Sequence, residues 1–429
     1  MYDLWCYCTA GLFRKSSLLK AISGRLHLGN GEAVEGKVFY NGKTLKDKSK
    51  FHIENAVAYI DQLDRHAPRL TIDETFEFAF QCKTGGVQHW MPEEDAKKYL
   101  KSREARRFHV KLVLEALGLD EVKDTFVGDE NVRGVSGGQR RRVTVGEMLM
   151  DRTPILCGDE ISTGLDATST YEMTELINHF GRIQKMSRVI ALLQPSPETV
   201  SLFDEVIVVA EGKILYAGPI DAVGDYFAAL GYNPPGHMDV ADFLQLIATP
   251  DAASLFDPPP EVKQHRTHPY SATELAELFR QSKYAKIIRE ALEAPSEFVW
   301  TSDEGSMHGG KVTYLSHWHA VRNKYANTFP RSAYLNLKRN LLIWKRDKRV
   351  LIANAVKNMI MGISVGGVFF QTEDVVSILG VTFQGMLFIM LGTFECVIVK
   401  RNLLGYRMEF TVVSKLFSTQ VQCKSLPRW

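Results

Sequence analysis

Cysteine is scarce in this 429-residue chain: the six present, Cys6, Cys8, Cys82, Cys157, Cys396 and Cys423, form no CxxC pair and have no histidine series beside them. That spacing argues against both a zinc site and a disulfide framework, and it fits a reducing, cytosolic setting. Neither sign of charge dominates, because 52 basic and 50 acidic residues leave a formal charge of +2 and intermingle along the chain. With no long basic stripe, nucleic acid is not expected as a partner. Met1 to Ala10 lack the basic first stretch and the small-residue cleavage pattern of a secretory signal. Long apolar runs are absent before Arg349, so any membrane part is C-terminal.

With 45% hydrophobic and 24% charged residues, the chain can bury at least one large core and is read as more than one unit. From Lys15 to about Gly218, helix-like stretches alternate with short β-rich runs at Val57 to Ile60, Ile155 to Cys157, Val189 to Leu193 and Val206 to Val209. This alternation predicts an α/β domain with a buried sheet over residues 1–250. Glu211-Gly212, set between two β-rich runs, predicts a hairpin turn.

Residues 251–330 read as a linker, interrupted by Pro258-Pro259-Pro260 and by the stretch Gly305 to Gly310. Within it, Ser271 and Glu274 have capping-box spacing before Leu275, Leu278, Phe279, Ile287, Ile288 and Leu292, which predicts one amphipathic helix on a domain surface. Residues 331–429 read as a partial membrane domain. Tyr334 to Arg349 mixes Leu and Trp with Lys and Arg as an interfacial helix does, and Leu351 to Phe370 and Val375 to Val399 are each long enough to cross a bilayer. Basic clusters before the first span and after the second place both ends on the cytosolic side, and membrane lipids become expected partners.

The most specific chemistry lies at Val135-Ser136-Gly137-Gly138-Gln139. A serine and two glycines at a helix start let backbone N–H groups approach a phosphate. About twenty residues on, the apolar run Ile155-Leu156-Cys157-Gly158 ends in Asp159-Glu160. An acid closing a buried strand can hold Mg²⁺, and a second can orient a water for in-line attack on a γ-phosphate, so Asp159 is assigned to the metal and Glu160 to the water. The competing reading is that the two acids cap a following helix, because Ser162-Thr163 come next.

Taken together, these motifs resemble the ATP-binding cassette of the ABC transporter superfamily, in particular its ABCG or pleiotropic-drug-resistance type. Val135 to Gln139 match the signature, Asp159-Glu160 the Walker B acids, Thr163-Gly164-Leu165-Asp166 the D-loop, and Gln62 in Tyr59-Ile60-Asp61-Gln62 the Q-loop. Leu192-Leu193-Gln194-Pro195, Leu202-Phe203-Asp204 and Tyr216-Ala217-Gly218-Pro219 are similar to that subfamily's pattern. The resemblance implies a P-loop NTPase fold, ATP and Mg²⁺ as cofactors, and a cassette that precedes its membrane domain. It further implies that Glu160 and Gln62 act in catalysis, that Ser16, Gln62 and Asp159 hold the metal, and that Gly11, Lys15, Ser16, Ser17, Ser136, Gly137, Gly138, Gln139 and Asp166 contact nucleotide.

Two departures stand out. The family's phosphate loop is glycine-rich, whereas Thr9-Ala10-Gly11-Leu12-Phe13-Arg14-Lys15-Ser16 keeps the lysine and serine but puts Leu12, Phe13 and Arg14 where close backbone approach is needed. Residues 1–14 accordingly look foreign to the fold, and the cassette is expected to lack its first strands, in a chain truncated at both ends. Leu193 stands where many relatives have a histidine for the γ-phosphate. Gly158 is expected to loosen the strand that ends in Asp159.

Cassettes of this superfamily work in pairs, so a second cassette, in trans or from a missing C-terminal half, is an expected partner. The function implied is ATP-driven export of a hydrophobic or amphipathic compound by a multi-pass protein, with the plasma membrane as the expected location and the nucleotide domain in the cytosol. The alternatives are an inactive or regulatory remnant from a partial gene, and a soluble ABC ATPase.

Overall fold

The computed structural model describes residues 4–9, 15–26, 38–40, 43–44, 52–84, 103–150, 153–184, 186–236, 238–247, 249–258, 268–293 and 325–348, with parts of 352–363. The chain separates into two compact units, Met1–Ile343 and Trp344–Trp429. The first unit holds every described strand. Strand β1 is Leu4–Thr9, β2 Phe39–Tyr40, β3 Lys43–Thr44, β4 Val57–Ile60, β5 Ile155–Asp159, β6 Ser187–Ala191, β7 Glu205–Ala210 and β8 Lys213–Pro219. Six of them form one sheet in the order β4-β5-β6-β1-β7-β8, while β2 and β3 pair separately. All neighbours in the large sheet run parallel except β7 and β8.

The expectation that residues 1–14 stand outside the fold is corrected by this topology for the described Leu4–Thr9, while 1–3 and 10–14 lie outside the described residues. Leu4–Thr9 is an inner strand, with Leu4 opposite Arg188 on one side and Trp5 opposite Glu205 on the other. A parallel strand flanked on both edges has every ladder group paired, which is why so short a segment is held there.

Parallel strands covered on both faces read as continuous apolar runs, and successive side chains alternate between the faces. Ala58, Ile60, Leu156 and Ile190 enter the larger core cluster, whereas Val57, Tyr59, Cys157 and Ala191 enter a smaller one with Leu19 of helix α1 (Lys15–Ile22). The same two-residue period carries Asp159 to the face of Cys157, toward α1. The larger face is covered by α2 (Ile72–Thr84), α3 (Arg103–Ala116), α4 (Gly137–Leu149) and α5 (Ala167–Gln184).

The hairpin is present: Glu211 and Gly212 both take positive φ, 48° and 77°, the conformation a two-residue turn needs between twisted strands. Beyond β8 come α6 (Val223–Ala229), α7 (Val240–Ile247), α8 (Ala272–Gln281) and α9 (Lys283–Glu293). Ser271 caps α8 through the expected box, accepting from the Glu274 N–H while Glu274 accepts from the Ser271 N–H at 2.8 Å. Leu275 and Phe279 of this helix join the main core. The single helix read from the sequence is in fact two, because Ser282 is extended (φ −69°, ψ 159°) and its hydroxyl accepts from the Ala285 N–H.

Helix α10 (Phe329–Arg346) covers the stretch read as interfacial and leaves Tyr334, Leu337 and Leu341 exposed. Its start is tied to α2: Asn327 donates to the Gln81 carbonyl at 2.7 Å, and the Arg339 guanidinium lies 4.5 Å from the Phe78 ring centroid. The spans read at 351–370 and 375–399 fall almost wholly outside the described residues. Among those described, no helix is long and apolar enough to cross a membrane.

Candidate active site

In an open parallel sheet the carboxyl ends of the strands share one edge, and ligands are bound there. Residues following β4 and β5 meet at that edge. Asp159, the last residue of β5, is 1% exposed. The Ser16 hydroxyl donates to its Oδ1 at 3.0 Å, and the Tyr59 hydroxyl donates to its Oδ2 at 2.7 Å. Both carboxylate oxygens are thus oriented, one from α1 and one from β4. Burial first, then the bond to Asp159, pushes the Tyr59 phenol well above its ordinary value, so it stays a donor.

Glu160 is buried and stands at φ 49°, a left-handed conformation that a non-glycine side chain holds only where its surroundings fix it. Its N–H donates to the Ala191 carbonyl of β6, and its own carbonyl accepts from the Thr163 N–H and hydroxyl. The Gln62 amide donates to Glu160 Oε2 at 2.6 Å. Gln62 and Glu160, 98 residues apart in sequence, therefore meet side chain to side chain.

Gly158 has a different role from the loosening read from the sequence. A Cβ there would lie 2.9 Å from Ile161 Cγ2, so the glycine lets the turn after Asp159 fold back tightly on β5. Neither acid caps the next helix. That helix, α5, starts at Ala167, and Asp166 accepts from the Ser169 N–H at 3.2 Å. The Ser169 bonds hold the Asp166 carboxyl below its usual range. Cys157, buried in the smaller core on the α1 face of β5, has its thiol pushed up to about 12 by burial.

The signature serine opens α4. Ser136 accepts from the Gln139 N–H, and the Gln139 side chain accepts from the Ser136 N–H at 3.0 Å, a complete capping box. Gln139 is thereby engaged within its own turn. Ser136 and Gly137 are exposed, and a Cβ on Gly137 would meet nothing within 4 Å. Among the described residues, no hydrogen bond joins Ser136 to Gln139, or Asp166, with the Asp159–Glu160 group. Lys15 is the first residue of α1 and Ser17 is exposed on it, while Gly11 and the Lys15 side chain lie outside the described residues. Leu193, half-exposed beyond β6, presents no polar side-chain atom.

The donor set fits magnesium: an alcohol on Ser16, a carboxylate on Asp159 and an amide oxygen on Gln62 are hard oxygen ligands. Among the described residues there is no group of three or more His, Cys, Asp or Glu that could hold a metal ion. Two residues of the site escaped the sequence reading. Tyr59 could have been found from period two, since it shares a face with Val57 and follows it toward the carboxyl end of β4. Arg141, 1% exposed, donates to the Asp159, Glu160 and Asp61 carbonyls.

The class that this fold and site define is the ATP-binding cassette of an ABC-type ATPase, and residues 14–163 match the ABC transporter family model. The chain is 36% identical over 303 residues to ABC transporter G family member 31 of Oryza sativa subsp. japonica, covering 66% of this chain and 20% of that protein. It is 33% identical over 405 residues to G family member 47 of the same organism, covering 88% and 27%. Pleiotropic drug resistance protein 1 of Nicotiana tabacum is 33% identical over 380 residues, covering 84% and 25%. Over the matched residues the chain belongs to the ABC transporters, and within them to the G-family, pleiotropic-drug-resistance type. It spans about a quarter of the length of these relatives.

Proposed function

We propose that this chain is an ATP-binding and ATP-hydrolysing subunit or half of an ABCG-type transporter, coupling hydrolysis to export of hydrophobic or amphipathic compounds. The observation that carries this reading is the pair of differently held acids at the end of β5. Asp159 is oriented at both oxygens by Ser16 and Tyr59, while Glu160 is turned in a left-handed conformation onto Gln62.

Ser16, Gln62 and Asp159 would hold Mg²⁺, which when bound would neutralise charge on the phosphates. Glu160 would accept a hydrogen bond, and then the proton, from the attacking water and so align its oxygen for in-line displacement, with Gln62 fixing the carboxylate. The exposed Ser136 and Gly137, with the half-buried Gly138, would complete the nucleotide site of a second cassette, in trans or from a C-terminal half, through backbone N–H groups at the start of α4. The membrane domain, with spans at 351–370 and 375–399, would place the cassette in the cytosol. The residues Leu12, Phe13 and Arg14 in the phosphate loop favour a second reading, a regulatory cassette that completes a partner's site without hydrolysing ATP at its own.

The test is turnover of the chain co-expressed with a cassette that has a glycine-rich phosphate loop. Glu160→Gln should lower kcat by about 10² to 10⁴-fold with ATP binding retained, the range for removing a general base. Unchanged turnover would refute the hydrolytic role and leave the regulatory reading. Carbonate-resistant pelleting of the chain supports the membrane domain, and release into the supernatant counts against it.

A further inference from the structure

Three consecutive arginines follow the signature, and they go to different places. Arg142 pairs with Glu172 at 3.1 Å on the surface side of α4. Arg141 turns inward and is among the largest fully buried side chains of the domain. A buried guanidinium is tolerated only when its five N–H donors find acceptors, and here they do. Its Nε donates to the Ile161 carbonyl at 3.1 Å, and Nη2 to the Asp159 and Glu160 carbonyls at 3.2 and 3.0 Å. Nη1 donates to the Asp61 and Gln62 carbonyls at 2.7 and 3.3 Å, and to the Asp64 carboxylate at 3.0 Å. Asp64 is held in turn by the Thr144 hydroxyl at 2.6 Å, one helical turn beyond Arg141.

We propose that Arg141 is a positioning residue for the hydrolytic carboxylate, fixing in one fork the backbone turn that carries Glu160 and the backbone loop that carries Gln62. The inference rests on the hydrolytic reading of Glu160. The three carbonyls of Asp159, Glu160 and Ile161 point at one guanidinium, and Glu160 is the residue with φ 49°. A left-handed glutamate is strained and persists only where the surroundings over-determine it. The planar fork supplies that over-determination, since its donors diverge at fixed angles to two segments. A lysine, with its donors on a single atom, cannot reach both. Arg141 lies five residues along α4 from Ser136, about 7.5 Å at the rise of an α-helix. The helix that offers the signature is therefore bonded directly to the chain's own Glu160 turn.

The test compares the wild-type chain with Arg141→Lys and with Thr144→Val, a milder variant that loosens Asp64 without touching the guanidinium. Two readouts are needed: ATP turnover with a competent second cassette, and amide hydrogen exchange on the chain alone. Arg141→Lys should lower kcat about 100-fold while KM for ATP stays within about threefold, as expected when a catalytic group is misplaced rather than a binding group lost. Exchange at residues 160–163 and 61–62 should rise about tenfold in Arg141→Lys and less in Thr144→Val, with 205–219 unchanged. Unaltered exchange at both segments, or a uniform rise across the domain, overturns the inference, as does unaltered kcat. If the wild-type pair shows no turnover, the hydrolytic reading fails by itself, and exchange still decides whether Arg141 holds the turn. If Arg141→Lys does not fold, Thr144→Val decides on the same readouts.

Discussion

Around Arg141 the interior is held by hydrogen bonds to backbone oxygens, whereas around Tyr216 it is held by rings. Tyr216 packs at centroid distances of 5.1 Å on Tyr226, 6.2 Å on Phe227, 6.1 Å on Phe279 and 5.3 Å on Tyr284. Phe227 extends the cluster to Phe243 at 5.9 Å. Ring contacts bury much area and tolerate small displacements, so they suit the junction of β8 with α6, α8 and α9, where segments must only stay together. Charged hydrogen bonds are strict in direction and heavily penalised when one partner is lost. They surround the turn that carries Asp159 and Glu160, the acids proposed to be aimed at metal and water. The contrast is between adhesion and alignment, and substitutions on the two sides should separate stability from turnover.

The largest stability effect belongs on the aromatic side. Phe227→Ala removes a fully buried ring that touches Tyr216, Tyr226, Tyr232 and Phe243, and should cost about 3–5 kcal/mol in denaturant unfolding. A loss under about 1 kcal/mol would show that the cavity collapses and that the rings are less cohesive than their geometry implies. On the polar side, Asp64→Asn removes the one carboxylate on Arg141 and weakens the bond from Thr144. It should cost about 1.5–3 kcal/mol, the range for hydrogen bonds to charged groups. Asp64 is 23% exposed, so the lower end is expected. Its effect on turnover should exceed that of Phe227→Ala, and the reverse order would break the distinction.

The same contrast separates what could be read from residue order from what could not. The strand ending in Asp159-Glu160 is legible because an apolar run followed by two acids is a local pattern, and both helix caps are legible because a serine and its partner are three residues apart. Strand β1 is not, since Leu-Trp-Cys-Tyr-Cys-Thr shows no apolar–polar alternation, and its place comes only from ladders with β6 and β7. The break at Ser282 is hidden because amphipathic spacing continues through it to Ile287 and Ile288. Three arginines in a row look alike, although Val145 and Leu149, four and eight residues past Arg141, are both buried and so mark its face of α4 as the inner one.

The two capping boxes sharpen the comparison at smaller scale. Ser271→Ala and Ser136→Ala each remove a side chain that accepts from the third helical N–H, and each should cost about 0.5–2 kcal/mol. Helix α8 buries Leu275 and Phe279, so its loss should appear in stability alone. Helix α4 begins with the exposed Ser136 and Gly137, and its loss should also lower turnover of a paired second cassette. Equal turnover in both variants would mean that the box at Ser136 is structural like the one at Ser271.

The smallest effect is that of a single hydroxyl, and it offers the most direct comparison because both sides have one. The Tyr216 hydroxyl donates to the Pro219 carbonyl at 2.8 Å, and that of Tyr59 to Asp159. Burial raises both phenols above their ordinary value, followed for Tyr59 by the bond to Asp159. A phenol whose folded value is raised contributes stability that is complete below about pH 10 and is lost as pH climbs above it, so each wild-type tyrosine steepens the alkaline loss of stability. Tyr59→Phe and Tyr216→Phe should therefore each cost about 0.5–1.5 kcal/mol at pH 7 and each flatten the alkaline limb. Only Tyr59→Phe frees an oxygen of the acid assigned to magnesium, so only that variant should change the Mg²⁺ concentration needed for half-maximal turnover. A shift in both variants, or in neither, would show that the second hydrogen bond on Asp159 has no part in holding the metal.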